Sequence, residues 1–218
     1  MNLQKKYWDE KIKSWTKSSY EKKFSQFDLI ERLANFFRGP IVARMEEALK
    51  IIGPRSKNKI VLDLGCGLGN FCFAILKYSP RKVIGLDISE VAVKEARKIA
   101  KKKKVSRKVK FIQKDIPQLE KLPDFDFAVG LGFIDYLNKD ELKRLFRLLK
   151  NGYFLLSVFE KKLSWRNFFH DLYVRIQKCP GAYKYSREEI KNLAPKNLGL
   201  YFLEKNKMLF ITNLPKDK

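Results

Sequence analysis

Apolar and polar positions alternate on two length scales between residues 59 and 159. Short apolar runs predict strands near 59–64, 82–87, 108–113, 124–131 and 152–159, and longer amphipathic stretches between them predict helices over 69–78, 90–103 and 138–149. Strands that alternate with helices in this way form a mostly parallel sheet with helices on both faces, an α/β fold. Ser79-Pro80 and Asn151-Gly152 supply turns. Ahead of this region, Leu29, Ile30, Leu33, Phe36 and Phe37 fall at helical spacing until Gly39-Pro40 breaks the pattern, and Ile41 to Ile52 forms a further amphipathic helix ended by Gly53-Pro54. Behind it, Trp165 to Arg175 predicts an inserted helix closed by Cys179-Pro180-Gly181. Ser186 with Glu189 three residues on marks another helix start, and Leu200–Leu203 with Met208–Ile211 predicts a closing hairpin.

The first strand runs directly into a glycine-dense turn, Val61-Leu62-Asp63-Leu64-Gly65-Cys66-Gly67-Leu68-Gly69-Asn70-Phe71. Such a turn brings backbone N–H groups to an anionic group at a helix N-terminus, where the helix dipole also favours negative charge. Gly-x-Gly-x-x-Gly patterns are weak evidence by themselves, but here a strand precedes and a second strand ends in an acid, Asp87, roughly 20 residues on. A nicotinamide site would share Asp87. It would not place Asp63 just ahead of the first glycine, where a carboxylate faces and repels a pyrophosphate. A carboxylate there suits a ligand that carries an amine.

This combination resembles the class I S-adenosylmethionine-dependent methyltransferases, whose cofactor has an amino-acid tail. Phe111-Ile112-Gln113-Lys114-Asp115-Ile116 resembles that family's third strand with its adenine-contacting acid. Phe125 to Leu137 resembles the fourth strand and the active-site loop after it. The resemblance implies a Rossmann-like, mostly parallel seven-stranded sheet of order 3-2-1-4-5-7-6, with strand seven antiparallel. It also implies S-adenosyl-L-methionine as cofactor. Gly65, Cys66, Gly67 and Gly69 would shape the loop around the methionine portion, Asp63 would reach its ammonium group, and Asp87 would accept from both ribose hydroxyls. Asp115 would accept from the adenine amino group, Ile88 and Ile116 would sandwich the ring, and Gly130 and Leu131 would border the cofactor at the end of strand four. The expected organisation is one domain over 1–218: a helical lid (1–56), the cofactor-binding core (57–160), a helical insertion (161–185), and a final helix with the closing hairpin (186–218).

The catalytic group is harder to read. A sulfonium is an activated methyl donor, so alignment of the nucleophile supplies much of the catalysis, and a base is needed only where the nucleophile must lose a proton. The loop after strand four reads Gly132-Phe133-Ile134-Asp135-Tyr136, without the Asn/Asp-Pro-Pro-Tyr/Phe pattern of enzymes that methylate the amino nitrogen of a base or glutamine. Asp135 and Tyr136 are the candidate catalytic residues, with Asp135 alternatively the cap of the following helix and Tyr136 a pocket wall or core residue. His170, the single histidine, is expected to pack or face solvent. Outside the core the chain resembles small-molecule members related to the magnesium-protoporphyrin and ubiquinone/menaquinone-pathway methyltransferases. That resemblance implies a pocket covered by the flanking helices. Their aromatics, among them Tyr7, Trp8, Trp15, Trp165 and Tyr183, suit a hydrophobic or planar small-molecule substrate. The alternatives are an RNA or protein methyltransferase that docks through a basic surface, and a non-catalytic cofactor-binding subunit.

Composition changes the picture in one respect. At 218 residues the chain suits one domain with a substantial core, and no apolar run approaches a membrane-spanning length. Its three cysteines lack Cys-x-x-Cys spacing and it has one histidine, so no metal site is expected and a reduced, cytoplasmic protein is the natural reading. The formal net charge of +23 is unusual. It fits a solvated lysine-biased surface, a peripheral membrane contact or a nucleic-acid partner. The lysines run all along the chain, which favours the first and disfavours nucleic acid. Oligomeric state is not legible.

Overall fold

A computed structural model describes residues 3–20 (backbone only for 14–20), 43–158, 160–161, 181–205 and 208–216. The helix expected around Leu29–Phe37 and the insertion beginning at Trp165, with His170, lie outside the described residues. Seven strands form one sheet: β1 (Ile60–Leu64), β2 (Lys82–Asp87), β3 (Val109–Gln113), β4 (Phe127–Leu131), β5 (Tyr153–Val158), β6 (Tyr201–Lys205) and β7 (Met208–Thr212). Their order is β3-β2-β1-β4-β5-β7-β6. β7 runs antiparallel to both of its neighbours, and every other pairing is parallel. The fold class expected from the sequence is the fold observed.

The central strands are near-continuous apolar runs because helices cover both of their faces. One face packs Leu62, Leu64, Leu86, Ala128, Phe154 and Leu156 with Leu142, Leu145 and Phe146, while the other packs Val61, Val83, Val129 and Leu155 with Ile75, Val93 and Ala96. The helices are α1 (Leu3–Tyr20), α2 (43–52), α3 (Asn70–Ala74), α4 (Glu90–Lys102), α5 (Lys139–Leu148) and α6 (Arg187–Leu193). The helix expected over 69–78 is α only as far as Ala74, and Ile75–Tyr78 tightens into a 3-10 turn that ends at Ser79 with φ 55°. A tight turn of this kind satisfies last-turn carbonyls before Pro80.

Caps fix three helix starts. Ser89 opens α4 by accepting from the Ala92 N–H at 3.1 Å. Asn138 and Glu141 form a capping box on α5, and Ser186 and Glu189 form the one expected on α6. Asp135 is therefore not the cap of α5. A capping carboxylate or amide must sit at the first non-helical residue, and Asn138 holds that place.

Candidate active site

In an open parallel sheet the ligand crevice lies beyond the carboxyl ends of the strands, where the strand order reverses. Here that point lies between β1 and β4. β1 ends at Asp63-Leu64, and the loop to α3 turns on three left-handed glycines, Gly65 (φ 73°), Gly67 (φ 51°) and Gly69 (φ 82°). Leu86 O on β2 accepts from the Gly65 and Cys66 N–H groups at 2.9 and 3.0 Å, which lays the loop across the end of β2.

The three glycines answer to different constraints. A Cβ on Gly65 would meet the Phe133 ring at 3.0 Å, and one on Gly69 would meet Phe111 at 2.5 Å. A Cβ on Gly67 would meet nothing within 4 Å. Packing and backbone together require Gly65 and Gly69, whereas at Gly67 the fold leaves open space above the loop. Gly67→Ala is therefore expected to cost only about 1 kcal/mol of stability, from its positive φ. Its effect on ligand affinity should be several-fold larger, and thermal melts beside calorimetric titration compare the two.

Asp87 fastens this loop to the next helix. Its Oδ2 accepts from the Gly67 N–H and its Oδ1 from the Ser89 N–H, both at 2.8 Å. A carboxylate offers about four lone-pair sites, so two remain for a ligand. Burial raises its carboxyl above the usual range, against hydrogen bonds from Ser89 and Gly67 that lower it. Asp63 is more deeply placed. It is 3% exposed, accepts from the Cys72 thiol at 3.2 Å, and burial pushes it up to about 7. Cys66 and Cys72 are both buried and free, and Cys66 fills the space beside Gly85, where a Cβ would meet its sulfur at 2.8 Å.

Asp115 is half-buried at the start of the 3-10 turn Ile116–Gln118 and its side chain does not cap that turn. Ile116 is buried in the core, while Ile88 is half-exposed. Gly130 is buried and Leu131 half-buried at the end of β4.

The loop after β4 is gripped from three directions. Tyr183 N–H donates to Asp135 O at 2.7 Å, Gln4 Nε2 donates to Tyr136 O at 2.8 Å, and the Tyr185 hydroxyl donates to Leu137 O. Three successive carbonyls thus hold α1 and the segment before α6 against the same loop. Trp8 meets the Tyr136 ring edge-on with centroids 5.1 Å apart. Asp135 is 7% exposed and lies 3.9 Å from Nη1 of Arg44 on α2. The same guanidinium rests on Gly132, where a Cβ would come within 2.5 Å of it. The sequence reading missed Arg44, which no motif marks: it is one cation in an amphipathic helix.

α1 also reaches the start of α4, beyond the end of β2. Asp9 accepts from the Ser89 hydroxyl at 2.6 Å and the Val91 N–H at 3.3 Å while paired with Lys5 at 2.7 Å. Against the cost of burial, these hydrogen bonds hold Asp9 below the usual carboxylate range. None of Gln4, Trp8 or Asp9 was singled out for these contacts in the sequence, which offered the aromatic residue only as part of a lid. Among the described residues no group of three or more His, Cys, Asp or Glu could hold a metal ion.

A family profile described as "Methyltransferase domain" matches residues 55–197, most of the chain. The chain belongs to the class I S-adenosylmethionine-dependent methyltransferases. Its sequence is 31% identical over 96 residues to sterol 24-C-methyltransferase of Aspergillus fumigatus, a match covering 42% of this chain and 25% of that protein. It is 37% identical over 86 residues to a protein-lysine N-methyltransferase of Schizosaccharomyces pombe, covering 36% of each. The matches thus span about a quarter to a third of those relatives' length. Among solved structures, magnesium protoporphyrin IX methyltransferase from Synechocystis PCC 6803 with bound SAH superposes with a TM-score of 0.66 at 15% identity, over 96% of this chain and 98% of that one. For this methyltransferase the residues at the strand ends fit the cofactor: an open space over Gly67, a carboxylate with unused lone pairs at Asp87, and buried Asp63 beside the loop.

Proposed function

We propose that this enzyme transfers the methyl group of S-adenosylmethionine to a small-molecule acceptor that is apolar or aromatic. The observation that supports this is the wall of α1 against the post-β4 loop, where Gln4 and Trp8 close on Tyr136 and Tyr183 stands beside them. Aromatic side chains gathered at the end of β4 suit a planar or hydrophobic molecule, with few polar groups to orient it. The likeness to proteins named for sterol and porphyrin substrates is consistent with such an acceptor.

The bound cofactor supplies an electrophilic methyl group on a good leaving group. What the chain contributes is position. Asp87, fastened to the Gly67 N–H, holds the ribose end, Asp115 and Ile88 receive the adenine, and Asp63 draws the ammonium group. Tyr136 and Trp8 exclude water and set the acceptor in line with the bond to be broken. Asp135, buried beside Arg44, orients the loop and is the nearest candidate for taking a proton where the acceptor must lose one.

Incubating the protein with methyl-labelled S-adenosylmethionine and a cell extract, followed by mass spectrometry, tests the proposal. Label in a small hydrophobic product supports it. Label confined to protein lysines would instead favour the class represented by the fission-yeast relative, and label in RNA would favour a nucleic-acid enzyme. Turnover in no fraction, with cofactor binding intact, would favour a non-catalytic subunit. Once an acceptor is known, Trp8→Ala is expected to raise its KM about fivefold, the worth of one aromatic contact, with cofactor affinity unchanged within twofold. Steady-state kinetics beside calorimetry provide both readings.

A further inference from the structure

The chain's positive charge is not evenly spread once folded. Segments 53–59, 76–82 and 99–110 contain three, three and seven Lys or Arg residues and no Asp or Glu. The rest of the chain then has 34 of the 47 cations against all 24 acids. These segments are far apart in sequence, yet they are the entries to β1, β2 and β3, which lie side by side. Asn58 N donates to Ser79 O at 3.0 Å, Arg81 N to Lys59 O at 2.8 Å, and Val83 N to Lys108 O at 2.9 Å, so the loops adjoin. Adjacent strands are about 4.8 Å apart, which makes this one continuous face at the amino ends of the strands.

Lys57, Lys59, Lys77, Arg81, Lys82, Lys101 to Lys104, Arg107 and Lys108 are all exposed there. Among them only Lys59 makes an ion pair, with Asp126 at 3.4 Å, whereas other described ion pairs fall elsewhere on the surface, such as Lys94–Glu90 and Lys98–Glu95 higher on α4. The carbonyl end of α4 accounts for favourable cations at Lys101 and Lys102. It does not account for those on the loops before β1, β2 and β3. Like charges gathered with few counter-charges repel one another, and an anionic partner relieves that repulsion.

We propose that this face binds the phosphodiester backbone of nucleic acid, as a tether and not as a methyl acceptor. Most of the cations are lysines, point charges that neutralise phosphates without reading bases. A membrane surface is the poorer match. Interfacial binding draws much of its strength from apolar side chains that insert, and of the exposed large apolar residues of the described structure, Leu3 and Tyr183 lie elsewhere and only Tyr153, at the start of β5, stands at this end of the sheet. The cofactor residues stand at the opposite, carboxyl ends of the strands, so a nucleic acid held here does not reach the methyl group.

The test is fluorescence anisotropy with a labelled 20-nucleotide oligouridylate over a range of salt concentrations. Two charge-reversed proteins of equal net charge are compared with the parent. One carries Lys101→Glu, Lys102→Glu, Lys103→Glu and Lys104→Glu; the other carries Lys143→Glu, Lys191→Glu, Lys196→Glu and Lys205→Glu, all exposed positions off the entries to β1, β2 and β3. The parent is expected to bind with a log–log salt slope near −3 or steeper, at about −0.7 per phosphate contact on a single strand. The first variant should lose at least about tenfold in affinity and most of that slope, and the second should lose less than about threefold. Calorimetric titration with S-adenosylmethionine shows that both variants remain folded at the cofactor end. Equal losses in the two variants would overturn the proposal, because they would reflect net charge and not this face. So would tighter binding to anionic vesicles than to the oligonucleotide, or methyl label appearing on the bound RNA.

Discussion

Replacing Asp87 with alanine is expected to weaken binding of both S-adenosylmethionine and its demethylated product by about 1.5–3 kcal/mol, roughly 10- to 150-fold. Two effects combine. The carboxylate's unused lone pairs are lost to the ligand, and the Gly67 and Ser89 N–H groups lose the acceptor that now ties the glycine loop to the start of α4. Asp87→Asn separates them: it keeps one carbonyl acceptor but turns an amino group toward one of those N–H donors, so the loop should loosen with a smaller loss of ligand contact. Calorimetric titration measures the affinity and thermal melts of the ligand-free proteins measure the loop. Unchanged affinity for Asp87→Ala would mean that the ribose is held elsewhere.

Asp63→Asn is expected to change sign with conditions. Burial moves the Asp63 carboxyl from its ordinary 3.8 up to about 7. Between these values the folded protein keeps a proton that the unfolded chain has lost, so this contribution to stability is complete below about pH 4 and disappears as pH rises through 7. The amide variant carries no such proton. Without ligand, its stability relative to the parent should therefore rise from pH 5 to pH 7.5, as urea denaturation at the two values would show. With S-adenosylmethionine the preference reverses, because an ammonium group favours an ionised partner. The parent's affinity should increase from pH 6 to pH 7.5 as Asp63 deprotonates. The variant should lack that increase and bind about tenfold or more weakly at pH 7.5. If the affinity difference is the same at both pH values, Asp63 does not hold the ammonium group.

The elements of the core were legible because each is an unbroken run with its own punctuation. β1 ends where Gly65 begins, β2 ends at an acid, and Ser186 with Glu189 announces α6. Boundaries were less legible. The strand expected over 124–131 begins at Phe127; just ahead of it Asp126 ties β1 to β5 through its backbone, and its carboxylate also accepts from the Ile60 N–H at 2.7 Å. The helix after the glycine loop shortens because Ser79-Pro80 cannot continue it. At the candidate site, sequence position placed Asp63, Asp87, Asp115 and the loop at strand ends on one side of the sheet, because parallel strands all finish on the same side, and the family resemblance made those strands neighbours. Their environments were not legible. Nothing in the local sequence shows that Asp63 meets Cys72 or that Asp87 is shared between two backbone amides.

Hydrophobic periodicity thus determined the α/β class, since it reports which side of each element is buried, and the glycine loop with its strand-ending acids resembled the family that carries the cofactor. Only the tertiary structure decided what crosses between elements. Arg44 beside Asp135, Asp9 on the Ser89 hydroxyl, Gln4 on the carbonyl of Tyr136, and the gathering of lysines from three loops all join residues far apart in sequence. Polar side chains on helix surfaces and loops carry no period that names their partners. Which charges meet, and which remain clustered on one face, follows from how the packed layers bring those surfaces together.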